Sequence, residues 1–146
     1  MDVFPPIYTA WLGAFLIVLQ TLLAVSVGGY RGRNRTAIGH ANDAELERRV
    51  RRHGNMTEYA PIFLTVLGLY ELVAGQTLMI LWLGILFGAG RVFHVIGFSS
   101  SAGSHLENPK GARLAFVFAR MLGTALTLLL SLAVGGLLAW HLAAAG

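Results

Sequence analysis

Residues 47–61, ERRVRRHGNMTEYAP, carry a strongly basic, polar segment straight into an apolar run, and the reading of that junction decides the fold. Outward from it the chain is overwhelmingly apolar. Hydrophobic residues make up 55% of the 146, charged residues only 12%, and the mean hydropathy is +0.65, a balance foreign to soluble domains. Four runs approach bilayer length, at about residues 7–30, 58–74, 77–98 and 114–142. The expected architecture is all-α, an integral membrane four-helix bundle forming one domain over residues 1–146. The second run is the shortest, and Glu58 and Glu71 stand near its ends. Without it, Tyr30 to Gln76 would form a long hydrophobic loop, which compact domains avoid.

Basic residues set the expected orientation. Seven of the eleven Lys and Arg residues (Arg31, Arg33, Arg35, Arg48, Arg49, Arg51, Arg52) lie between runs one and two, and Lys110 and Arg113 lie between runs three and four. Loops 31–57 and 99–113 are therefore expected on the cytoplasmic side. The first run has no basic flank ahead of it, only Asp2 and the Pro5-Pro6 pair, so it reads as a permanent helix and not a cleaved leader. Although the chain is cationic, no interleaving of aromatic and basic residues forms a stacking platform, which argues against a nucleic-acid partner. Cysteine is absent, so a disulfide, a thiolate metal site and a cysteine nucleophile are excluded. Thiol chemistry would need a sulfur brought by a ligand. No histidine is accompanied by carboxylates or a second histidine at ligand spacing, and no metal is expected.

The junction itself has helical structure written into it. Asn42 or Asp43 can cap a helix whose first turn carries Glu45 and Glu47, and Pro61 is expected to kink it. Along it Arg48, Arg51, Asn55 and Glu58 recur at intervals of three, four and three, as residues sharing a helix face do. Arg91, His94 and Phe98 form a second such stripe, and Arg113, Val117 and Arg120 a third. Reflection about a tight turn near Gly75 brings Glu58 to the depth of Arg91 to His94, with runs two and three as antiparallel neighbours. Each group has two readings. Glu58 and Arg91 are either an ion pair joining two helices or part of a ligand pocket, since buried charges need partners in both cases. Arg49 and Arg52 read as topogenic charges, with Arg48 and Arg51 on the pocket-facing stripe. Gly84 and Gly88, a GxxxG pair, read as a close helix contact. Guanidiniums grip carboxylates, Glu58 suits an ammonium and Asn55 an amide, so a small zwitterionic anion with a peptide-like body fits the set.

The pattern E-R-x-x-R-x-H-x-N-x-x-E-Y-x-P from Glu47 to Pro61, followed by G-R-V-x-H from Gly90 to His94, resembles the MAPEG family, the membrane-associated proteins in eicosanoid and glutathione metabolism. The resemblance extends over essentially the whole chain. It implies a homotrimer that binds glutathione as co-substrate between subunits near the cytoplasmic face and admits a lipophilic substrate from the membrane lipid. By that resemblance Arg51, Asn55, Glu58 and Tyr59 match glutathione-binding positions, with Arg48 beside them. Arg91 and His94 match a second set, and Arg31, or Arg33, a further basic contact. The thiolate-stabilising arginine corresponds to Arg120, with Arg113 as the alternative. Many active members carry a tyrosine where this chain has Phe98, which lacks the hydroxyl. The implied function is a membrane-bound glutathione transferase, with peroxidase activity as a variant. The alternative is a non-catalytic lipid- or glutathione-binding accessory protein of the same fold. A small four-span exporter is disfavoured because Glu58 sits at the rim instead of mid-membrane. A bacterial plasma membrane is the expected location.

Overall fold

The computed structural model describes residues 4–40, 42–100 and 112–145, with the side chains of the last segment described from Leu114 onward. Its four helices are α1 (Ile7–Arg33), α2 (Ala44–Ala74), α3 (Leu78–Gly97) and α4 (Ala112–Ala145), and each is long and apolar enough to cross a membrane. The chain is all-helical among the described residues.

Helix α2 absorbs the junction. The basic segment and the second apolar run are one unbroken helix that continues through Pro61. Residues 31–57, expected as a loop, are therefore mostly helical, and only about residues 34–43 link α1 to α2. Asp43 is the cap. Its carboxylate accepts from the backbone N–H groups of Glu45 at 2.9 Å and Leu46 at 3.1 Å. Asn42 stands outside the helix in the left-handed region, at φ 59°. The Leu46 N–H, then the Tyr30 hydroxyl, which donates to Asp43 Oδ2 at 2.8 Å, hold the Asp43 carboxyl below the usual carboxylate range.

Helix α1 begins at Pro6, which offers no side-chain cap. Glu71, from the far end of α2, does the capping instead. Its carboxylate accepts from Tyr8 N–H at 2.8 Å, Thr9 N–H at 2.8 Å and the Thr9 hydroxyl at 2.7 Å, and the side chain is fully buried. A carboxylate is the group that the positive end of a helix dipole stabilises. At the other end of the same helix pair, Arg49 donates to Ser26 Oγ at 2.6 Å and lies over the Tyr30 ring, 4.8 Å from its centroid.

The turn at Gly75, with φ 79°, returns the chain into α3, whose first turn is capped by the Thr77 hydroxyl. Although consecutive, α2 and α3 are not the closest neighbours. Helix α1 packs mainly on α2, and α3 mainly on α4. Phe63 and Phe87 bridge α2 and α3, stacked 3.6 Å apart and within 6° of parallel.

The crossing of α3 and α4 requires glycine. A methyl group on Gly97 would lie 2.6 Å from the Arg120 backbone nitrogen, and one on Gly123 would lie 2.5 Å from the His94 nitrogen. The backbones are in contact there, and this fixes Arg120 beside the end of α3. Gly84 and Gly88, expected to make that kind of contact, instead receive the Leu12 side chain of α1.

Candidate functional site

The centre of the site is Arg91. It is only 1% exposed, inside an apolar bundle, and its Nη2 donates to Asn55 Oδ1 at 3.2 Å. Its Nε and Nη1 are buried without a hydrogen-bond partner. One helical turn on, His94 is buried with Nδ1 also unpartnered, and its ring meets Phe98 at a centroid distance of 5.0 Å. From α4, the Arg120 guanidinium lies over the other reach of the Phe98 ring, 5.4 Å from its centroid. Tyr59, half-buried one turn after Asn55, is within electrostatic reach of Arg91. Three helices thus bring Asn55, Tyr59, Arg91, His94, Phe98 and Arg120 to one place.

The charge there is one-sided. Among the described residues no carboxylate pairs with Arg91 or Arg120, and the ion pairs of this region all belong to Glu45 and Glu47. Glu58 is exposed on the outer face of α2, so it forms no ion pair with Arg91. The partner of Arg91 is the Asn55 amide. Buried, unpaired cations with orphaned donors are costly, and an anion is the group that would relieve them.

The stripe of α2 divides for a geometric reason. At about 100° per residue, Asn55 returns to within about 20° of Arg48, while Arg51 and Glu58 drift about 60° and 80° away. Arg48 accordingly turns inward, bonds Glu45 at 2.6 Å and leaves its Nε buried and unpartnered. Arg51 is 72% exposed, with Glu47 at 3.8 Å. Arg52 sits on the inward side, half-buried with an unpartnered Nε, and Arg49 ties α2 to α1. Both, read from the sequence as topogenic charges, are packed at least in part against the protein. The same rotation, counted at 100° per residue, would have found Arg52 and Tyr59 beside Arg48 and Asn55 in the sequence.

The remaining candidates lie elsewhere. Arg31 closes the end of α1, its Nη1 donating to the Ala37 carbonyl at 3.0 Å and the Thr36 carbonyl at 3.4 Å. The Arg113 side chain and His105 lie outside the described residues. His141 packs edge-on against Tyr70 at 6.0 Å. Among the described residues no three His, Cys, Asp or Glu side chains stand together as metal ligands. Between α1 and α3 runs an apolar groove of about 530 Å³, lined by Trp11, Leu12, Phe15, Gly84, Gly88 and their neighbours as far as Val92.

Four apolar helices around a cluster of buried cationic and polar side chains define an integral membrane protein. The chain belongs to the MAPEG family, whose model matches residues 9–140. It is similar to the inner membrane protein YecN of Escherichia coli strain K12, 34% identical over 91 residues that cover 60% of this chain and 70% of YecN. YecN of the O6:H1 strain matches to the same extent.

Proposed function

We propose that this protein is a membrane-bound glutathione transferase of a bacterial plasma membrane. The observation that carries the reading is Arg91, buried without a carboxylate partner and with two donors unused, beside His94 and within one cluster with Arg120. Glutathione offers carboxylates for such donors and an amide-rich body for Asn55 and Tyr59. Its thiol has an ordinary pKa of about 8.5, and a neighbouring guanidinium favours the thiolate. Arg120 is assigned that task, with Arg113 as the alternative. The thiolate sulfur then bonds to the electrophilic carbon of a lipophilic substrate, whose leaving group departs with the electron pair, or whose activated double bond takes the electrons and a proton. A hydroperoxide as the electrophile would give peroxidase chemistry. The apolar groove along α1 and α3 is the natural approach for such substrates from the bilayer.

A homotrimer accounts for the divided stripe. Arg51 and Glu58 point away from the subunit while Asn55 and Arg91 point in, which supports a ligand shared between subunits at the edge of α2. The basic stretches around residues 31–57 and 99–113 support a cytoplasmic position for this end.

The second reading is an accessory protein that binds glutathione or lipid without turnover, and Phe98 favours it. The ring that faces Arg120 has no hydroxyl to offer a thiolate. Ultraviolet absorbance of the thiolate, recorded on adding glutathione to wild type and Arg120→Ala, separates the two. A signal in wild type that is lost in the variant supports the transferase. Thermal protection by glutathione with no thiolate signal and no conjugate of a generic electrophile supports the accessory protein.

A further inference from the structure

The link between α1 and α2 holds a charge cluster of which the resemblance matches only Arg31, or Arg33, to a glutathione contact, leaving Arg35 outside that site. Arg31, Arg33 and Arg35 fall within five residues, and no acid occurs between Arg31 and Asn42. Among the described residues none of the three forms an ion pair, whereas Arg48, Arg49 and Arg51 each have a glutamate. Arg33 and Arg35 are exposed, and Arg35 turns the chain in the left-handed region at φ 53°. That turn, together with the two carbonyls held by Arg31, folds the link into a concavity of about 320 Å³ lined by Arg31, Gly32, Arg35, Thr36 and Ala37. Just beyond it Ile38 stands 90% exposed.

We propose that this link is a binding site for the headgroup of an anionic phospholipid. The lipid's phosphodiester sits in the concavity against Arg35, Arg33 stands beside it, and Ile38 enters the acyl boundary. Position selects the occupant. The link starts at the last residue of a membrane-spanning helix, so it lies at the headgroup level of the leaflet in which α1 ends. An exposed isoleucine among arginines is unfavourable in water and favourable at that level, where apolar burial and attraction to anionic lipid act together. A free phosphate would satisfy the arginines but leave Ile38 in water. The site rests on Arg35 and Ile38 and uses neither Arg91 nor Arg120, so it does not depend on those residues holding glutathione.

The test uses the full-length protein in an uncharged detergent, titrated separately with short-chain phosphatidylglycerol, short-chain phosphatidylcholine and inorganic phosphate, with bound ligand read by native mass spectrometry. Phosphatidylglycerol is expected to bind preferentially. At about fivefold per arginine near a membrane surface, R33Q/R35Q should weaken it roughly 25-fold. Ile38→Ser should weaken lipid binding but leave binding of inorganic phosphate unchanged. Circular dichroism checks the helices, and should the double variant lose them, Arg35→Gln alone should still show about a fivefold loss. Equal binding of the two lipids, wild-type affinity in the arginine variants, or displacement of the lipid by inorganic phosphate at similar concentration would each overturn the proposal.

Discussion

The two ends of α2 each bury charge, and they do so in opposite ways. At Glu71 every demand is met. The carboxylate receives three short hydrogen bonds, two of them from N–H groups that the first turn of α1 cannot satisfy itself. Near Asn55 the demand is left open. Arg91 has one amide partner, and its Nε and Nη1, with Nε of Arg48 and Arg52 and Nδ1 of His94, have no hydrogen-bond partner among the described residues. The charge at Glu71 is completed by the fold, whereas the donors of Arg91 are not completed by this chain.

That difference can be broken from either side. The largest effect is expected from Arg91→Leu. Glutathione affinity should fall at least about 100-fold, by the usual cost of losing one member of a buried charge pair, while the thermal midpoint stays level or rises because an uncompensated charge has gone. Calorimetric titration and a melting curve check the two halves. Glu71→Ala should do the reverse. It orphans a helix terminus and should cost about 3 kcal/mol of stability, seen as a lower thermal midpoint, with glutathione affinity of the folded fraction unchanged. Thr9→Val removes only one of the three donors to Glu71 and should cost about 1 kcal/mol in the same assay.

The smallest effect concerns Asp43. Its folded pKa lies below the ordinary value, so it contributes stability above that ordinary value and loses the contribution as pH falls through the folded one. Asp43→Asn should therefore melt below wild type near neutrality and converge with it in acid. A constant gap across that range would show that the cap acts without its charge.

Much of the fold was legible because bilayer length and hydropathy are coarse signals. The four runs, the turn at Gly75 and the cap at Asp43 follow from composition and local chemistry. The site was legible in its residues but less so in its pairings. Periodicity places Asn55 and Glu58 on one broad face, yet only the rotation between them decides that Asn55 meets Arg91 while Glu58 turns outward. Helix neighbours were harder still. The reflection about Gly75 joins α2 to α3, but the backbone contact through Gly97 and Gly123 binds α3 to α4, and contact between helices distant in sequence leaves only scattered glycines as its mark. Glu71 illustrates the same limit. Its partners, Tyr8 and Thr9, lie more than sixty residues away, and nothing local announces them.

The open donors of Arg91 are expected to receive an anion. An experimental structure of the full-length protein with glutathione tests it most directly. A carboxylate oxygen of glutathione is expected within hydrogen-bond distance of Arg91 Nε or Nη1, with Asn55 still on Nη2 and the sulfur facing Arg120. Glutathione bound elsewhere, with Arg91 paired to a carboxylate of the protein itself, would contradict it.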